Sequence, residues 1–116
     1  MHETSDVRFK TNILPFTGAL GIVTQMQGVS FDWNREEYPE QNFTDKKQVG
    51  FIAQELKEIL PELVSEGADG YLSVDYTRTT PILVEAIKEL KAENNELRDR
   101  LEKIEALLEQ VVENRH

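Results

Sequence analysis

Residues 81–112 read PILVEAIKELKAENNELRDRLEKIEALLEQVV, and this stretch decides the architecture of the chain. After Pro81 the sequence contains no glycine, no further proline and no Phe, Tyr or Trp, and it is rich in strong helix formers. Because proline is tolerated only in the first turn of a helix, we predict one helix from Pro81 to about Val112, capped by Thr77 or Thr80. At about 1.5 Å per residue, such a helix is roughly 50 Å long.

Apolar residues return along this helix at alternating steps of four and three, which is the pattern of a coiled-coil seam. Leucine at a, followed by isoleucine or valine at d, favours three or four strands over two in the last heptads. Between parallel chains, Glu93 faces Arg98 and Arg100 faces Glu105, so the flanking charges are complementary. We predict a parallel trimeric coiled coil, with a helix packed on its own head as the alternative. The predicted seam, defined here and used below, is Leu83, Ile87, Leu90, Asn94, Leu97, Leu101, Ile104, Leu108 and Val111.

The residues before position 80 predict a small head. Residues 28–33 alternate as a strand, with Val29, Phe31 and Trp33 on one face. Residues 54–60 indicate a short helix that ends before Pro61, and residues 71–76 indicate a second strand after the Asp69–Gly70 turn. Residues 34–47 are polar and predict a surface loop.

Together these elements predict an α+β fold, with a small mixed head followed by the long helix. We assign the head to residues 5–79 and the coiled-coil helix to residues 80–116. Residues 1–4 are interpreted as a remnant of an upstream segment or as added residues. A head of this size buries only about 60% of its unfolded surface, so association through the helix would stabilise it.

Composition excludes several classes of function. The net charge of −9 opposes binding to nucleic acid and to anionic membranes, which both need a basic patch. The chain has no cysteine and only two histidines, at opposite ends, so we expect no thiolate chemistry, no metal site and no cofactor. No apolar run is long enough to span a membrane.

One short stretch near the start carries candidate chemistry. Ser5 and Lys10 lie within the sequence TSDVRFK, residues 4–10. A serine becomes a nucleophile when a base removes its proton, and lysine is such a base when burial or a nearby cation keeps it neutral. In an extended segment the two side chains are too far apart to touch, so a dyad would need a turn or a partner chain.

The stretch around Ser5 and Lys10 resembles a motif of a known protein family. Residues 5–13, SDVRFKTNI, resemble the S-D-x-R-x-K-x-[ND]-I opening of the intramolecular chaperone domains that end endosialidase tail spikes and many phage tail fibres. A related domain lies within myelin regulatory factor, a membrane-tethered transcription factor. Further blocks match in order: GVSFDW at 28–33, GFIAQE at 50–55, PELV at 61–64, DGY at 69–71 with VDY at 74–76, and TP at 80–81 with EAIKEL at 85–90.

The resemblance implies a homotrimer that helps an upstream fibre or spike of the same polypeptide to fold and then cuts itself off. It implies Ser5 as nucleophile and Lys10 as general base, with a cut beside Ser5. The bond between Thr4 and Ser5 is the predicted scissile bond, and the side of Ser5 on which the cut falls stays open. Asp6 and Arg8 match the motif and are expected to support orientation, although a surface ion pair is nearly as good an interpretation of Arg8. The expected setting is the C-terminus of a phage virion tail protein or bacterial surface fibre made in the cytoplasm, with release after cleavage.

Other residues leave alternatives open. Phe31, Trp33, Phe51 and Tyr76 are expected in the core, whereas residues 54–55 either cap a helix or line the cleavage site. A trimerisation domain that no longer cleaves is the second hypothesis, and an unrelated coiled-coil adaptor is the third. Since only residues 1–4 precede Ser5, we expect cleavage in this chain to be slow, to need upstream structure, or to be absent.

Overall fold

A computed structural model describes residues 2–115, so Met1 and His116, the outer ends of the predicted segments 1–4 and 80–116, lie outside the described residues. The molecule is an elongated body of 80 × 44 × 26 Å, with a small head at one end of a long helix. The head contains two short helices, α1 (Ala19–Val23) and α2 (Ala53–Ile59), and two two-stranded antiparallel sheets. The long helix, α3, spans Thr79–Glu113.

The first sheet pairs β1 (Val29–Phe31) with β2 (Gln48–Gly50). Along β1 the side chains alternate between half-buried and exposed, and Trp33 continues this alternation beyond the strand, as the sequence predicts. The connection between the strands is a loop that contains one 3₁₀ turn, Pro39–Gln41.

The second sheet pairs β3 (Val64–Glu66) with β4 (Leu72–Val74). Gly70 closes the turn between them with a φ of +84°, a left-handed conformation that glycine adopts without steric cost. The strand predicted over residues 71–76 is therefore shorter than expected, because the chain turns into a 3₁₀ turn at Tyr76–Arg78.

The core lies where α1, α2 and the start of α3 meet. Leu56 and Leu60 come from α2 and the residue after it, and Pro61 follows in a 3₁₀ turn, as the predicted helix stop requires. The first two turns of α3 also contribute to this core, through Ile82 and Ala86. The helix therefore begins at residue 79, but its first residues still pack as part of the head. The buried apolar residues are Ala19, Leu56, Leu60, Leu63, Ile82 and Ala86.

The predicted long helix is confirmed, and it begins two residues before Pro81. The predicted cap at Thr77 or Thr80 is wrong. Arg78 occupies the cap position without a side-chain hydrogen bond, and the Thr77 hydroxyl lies near two carboxylates instead. Every described residue from position 91 onward is exposed, so this helix does not fold back on its own head.

Candidate active site

A single 3₁₀ turn, Val7–Phe9, shapes the segment that carries Ser5 and Lys10. Asp6 begins this turn as its N-cap, and its carboxylate accepts a hydrogen bond from the Arg8 backbone N–H at 2.9 Å. An aspartate in this position satisfies a backbone donor that the turn leaves unpaired. The backbone N–H of Lys10 closes the turn by donating to the Val7 carbonyl at 3.1 Å.

The turn brings the two predicted catalytic side chains together within one chain. Lys10 Nζ donates a hydrogen bond to Ser5 Oγ at 2.8 Å. The spacing of five residues would keep the pair apart in an extended segment, and the 3₁₀ turn removes that separation. The sequence left open whether a turn or a partner chain brings Ser5 and Lys10 together. In the structure, a turn within the same chain does so.

Asp6 and Arg8, the two residues that were predicted to support the site, form an ion pair across the same turn. The Arg8 guanidinium donates from Nη2 to Asp6 Oδ2 at 2.9 Å and from Nε to Asp6 Oδ1 at 3.1 Å. This side-chain pairing, followed by the backbone hydrogen bond from Arg8, holds the pKa of the Asp6 carboxyl below its ordinary value of 3.8. The same pairing raises the pKa of Arg8. Both side chains face solvent, so the pair fixes geometry more than it adds stability.

Two further contacts place the turn relative to the head. The Thr77 hydroxyl lies 3.2 Å from Glu3 Oε1 and 2.8 Å from Asp75 Oδ1, so the residue two positions before Ser5 sits beside the start of α3. After the turn, Asn12 adopts a φ of +53°, which asparagine tolerates better than most residues, and the chain changes direction there. Residue spacing alone gave no signal for the Glu3 contact.

Helix α1, which follows this segment in the chain, is tied to α3 by Glu89, a residue that the sequence analysis missed. Glu89 accepts hydrogen bonds from the backbone N–H groups of Gly18 at 3.0 Å and Leu20 at 2.6 Å. The carboxylate thereby caps α1 from a position about seventy residues later in the chain. Glu89 belongs to the matched block 85–90, but no local pattern identifies its partners.

The aromatic residues expected in the core do not belong to the fully buried set. Tyr76 is 47% exposed, and its hydroxyl accepts a hydrogen bond from the Phe51 backbone N–H at 2.9 Å. Phe31 packs edge-on against Trp33 at 5.0 Å between ring centroids, outside the leucine-rich core. The core expectation is therefore wrong for Tyr76, which anchors the backbone after β2. The side chains of residues 54–55 form no hydrogen bond with the Ser5–Lys10 turn and do not cap α2.

The predicted seam on α3 is open to solvent in the single chain. Its large apolar members are between 40% and 65% exposed, from Leu83 through Val111. Within residues 2–115, no group of three or more His, Asp or Glu side chains has the arrangement needed to hold a metal ion. In the same part of the chain, no helix is both long and apolar enough to cross a membrane.

The family model described as chaperone of endosialidase matches residues 5–65. This match covers more than half of the chain and begins at Ser5, one residue before the Asp6 cap of the turn described above. The chain belongs to the chaperone-of-endosialidase family. The resemblance inferred from the ordered motifs is thereby confirmed.

Two relatives of this chaperone domain are long tail fiber proteins Gp37, from Enterobacteria phages K3 and T2. Each is 36% identical over 101 residues, which cover 84% of this chain. The match accounts for only 8% of the K3 protein and 7% of the T2 protein, so the chaperone domain spans less than a tenth of these relatives. The family model ends at residue 65, before α3, whereas the match to the fibre proteins covers most of the chain.

Proposed function

We propose that this domain is an intramolecular chaperone that trimerises through α3, helps an upstream fibre of the same polypeptide to assemble, and then cuts the chain beside Ser5. The observation that carries the proposal is the 2.8 Å contact between Lys10 Nζ and Ser5 Oγ. It lies at the first residue of the family match, and two matched fibre proteins supply the setting of a virion tail.

The chemistry follows from the two groups in contact. In its neutral form, lysine accepts the serine proton, and the oxygen then attacks a carbonyl carbon. Attack by Ser5 Oγ on the carbonyl of Thr4 forms a five-membered ring. Collapse of this ring, with the proton passing from the lysine to the leaving nitrogen, breaks the amide bond and leaves an ester and a free α-amino group on Ser5. Water hydrolyses the ester, which restores the serine hydroxyl and leaves Ser5 as the new N-terminus. No cofactor is needed for these steps.

Asp6 and Arg8 act in this scheme as positioning residues. Their ion pair and the Asp6 cap hold the 3₁₀ turn, and the turn sets the distance between nucleophile and base. An enzyme benefits from such preorganisation because a small misplacement of reacting groups is costly in rate. Within the described part of the chain, neither the Asp6 nor the Arg8 side chain forms a hydrogen bond with the Ser5 hydroxyl.

The chaperone role rests on the helix. A seam of exposed apolar residues, repeated over more than four heptads, leaves a surface that parallel copies cover by knobs-into-holes packing. Helix association uses contacts that are local in sequence, so it costs little loop-closure entropy and is a suitable nucleus for aligning three fibre chains. Cleavage afterwards removes the nucleus from the finished fibre and leaves it kinetically trapped.

The test is a time course of processing with the native fibre segment restored upstream. The unchanged sequence should cut itself next to Ser5, with or without a chelator, whereas Ser5→Ala and Lys10→Ala should stay uncut and still assemble. Lys10→Arg should stay uncut as well, because a guanidinium does not give up its proton near neutral pH. Persistent processing in Ser5→Ala would place the nucleophile elsewhere.

The second candidate is a trimerisation domain that keeps the family fold but does not cleave. Exposure of both Ser5 and Lys10 in the single chain favours it, since catalytic lysines are activated by desolvation. Absence of processing in the unchanged sequence, with the upstream segment present, would select this candidate.

A further inference from the structure

The N-terminal segment, residues 3–16, leaves from the start of α3 and returns to it. At one end, Glu3 is held beside Thr77, two residues before the helix begins. At the other end, Phe16 lines a small cleft together with Pro81 and Ile82 in the first turn of α3. Leu83, the first residue of the predicted seam, follows directly. The segment therefore projects from the end of the helix at which the seam starts.

This segment displays apolar side chains that its own chain does not cover. Val7 is 67% exposed, Phe9 75%, Ile13 63% and Leu14 83%. The first buried residue of the described chain is Ala19, beyond the segment. We call these four side chains the apolar patch. Exposed apolar side chains in a segment that is anchored at both ends are typical of a surface that meets another protein.

We propose that a second copy of this chain covers the N-terminal segment when the helices assemble, forming a contact separate from the coiled-coil seam. The inference rests on the proposed trimer. A parallel bundle gathers the starts of all α3 helices at one end, so the apolar patch of each copy lies next to a neighbouring head and continues the seam. A second copy fits better than the upstream fibre, because the patch lies after the proposed cut and a fibre contact would hold the two products together.

The contact has a consequence for the site itself. Val7 and Phe9 are the first and last residues of the turn that holds Ser5 against Lys10, so a copy that covers them also lies beside the dyad and shields it from water. Shielding from water is one of the ways in which proteins activate a lysine for catalysis. The dyad has its geometry in one chain, but its surroundings are completed only by a partner.

The absence of cysteine from the chain allows a direct test with single reporters. Leu14→Cys places a thiol in the patch, and Val49→Cys places one on β2 at a matched site, since Val49 is 82% exposed. Each is labelled with a neutral maleimide in the assembled domain and in a chain that also carries Leu101→Glu and Leu108→Glu, which disrupt the seam. Assembly should slow labelling of Leu14→Cys about tenfold or more, because thiol reactivity follows access, and leave Val49→Cys unchanged.

Sedimentation of the same samples distinguishes failure of the proposed trimer from failure of the proposed second contact. A trimer in which Leu14→Cys reacts as fast as Val49→Cys would overturn the second contact and leave the proposed trimer standing. If the chain with the intact seam sediments as a monomer and Leu14→Cys labels fast, both the trimer and the second contact are overturned. Slow labelling that persists in the seam-disrupted chain would show that the patch is covered by its own chain, and protection that appears only with the fibre attached would assign the patch to the fibre.

Discussion

Lys10 Nζ lies 2.8 Å from Ser5 Oγ, and the five-residue spacing between them is bridged by one 3₁₀ turn. The contact is local, so each chain forms it without help from a partner. Asp6 caps the turn and pairs with Arg8, so the residues between Ser5 and Lys10 determine the distance between the two side chains.

The first prediction concerns the titration of Asp6. Its carboxylate pairs with Arg8 only when ionised, so the pairing is complete above pH 3.8 and is lost as the pH falls through the lowered pKa of Asp6. Carbon-detected NMR should place the Asp6 midpoint below 3.8, and Arg8→Gln should move it up toward that value. Lys47→Gln removes an exposed cation that pairs with Asp32 instead, and serves as the control. An Asp6 midpoint that ignores Arg8→Gln would show that the ion pair does not form in solution.

The second prediction tests the anchor between β2 and Tyr76. A Cβ added at Gly50 would lie 2.5 Å from the Tyr76 hydroxyl oxygen, too close for a real contact. Gly50→Ala should therefore destabilise the head by about 1–3 kcal/mol, the usual range for overpacking. Tyr76→Phe alone should cost about 1 kcal/mol, because the Phe51 N–H loses its acceptor.

The double variant makes this test specific. Removal of the hydroxyl also removes the clash, so Gly50→Ala should cost less in the Tyr76→Phe background than in the unchanged chain. Urea denaturation of the four proteins gives the coupling. Equal costs in both backgrounds would mean that the hydroxyl is not what excludes a side chain at position 50.

The third prediction concerns Glu89 and its hold on α1. Glu89→Ala leaves the N–H groups of Gly18 and Leu20 without their acceptor, so it should cost about 1–3 kcal/mol. Glu96→Ala is the matched control, since Glu96 lies one heptad later on the same face of α3 and is exposed. Thermal unfolding should separate the two variants, and hydrogen exchange of the Leu20 amide should rise only in Glu89→Ala. Similar stability and exchange in both variants would show that the Glu89 carboxylate does not hold α1 in solution.

The sequence predicted those elements whose signals are local. The helix α3 followed from its composition and heptads, and β1 and α2 followed from alternation and from Pro61 as a stop. Helix α1 was missed because it has five residues, begins after Gly18 rather than a capping side chain, and takes its cap from Glu89. Its stability comes from a contact that no window of neighbouring residues contains.

The candidate site also combines features that the sequence could predict with features that depend on the fold. Ser5 and Lys10 were assigned by family resemblance, but their contact depends on a turn that the Asp6 cap creates, and an aspartate two residues before Arg8 was the one local signal for it. Tyr76 was expected in the core because aromatic residues usually are. The hydroxyl of this half-exposed residue instead accepts a backbone hydrogen bond, a role that depends on Phe51 being brought beside it by the fold.

The last prediction concerns Asn94, the polar member of the predicted seam. We expect the unchanged chain to be a parallel trimer at micromolar concentration, in which an asparagine at an a position selects register and chain number at a cost in stability. Asn94→Ile should raise the stability of the assembly by roughly 1.5–3 kcal/mol per chain, the gain from burying an apolar side chain. It should also broaden the range of oligomers, because the polar group no longer excludes misaligned pairings. Thermal melts and sedimentation equilibrium measure the two effects together. Asn95→Ile, at the neighbouring position outside the seam, should produce neither of them. If Asn94→Ile unfolds the protein, or if Asn95→Ile is the more stabilising of the two, the seam passes through a different face of α3.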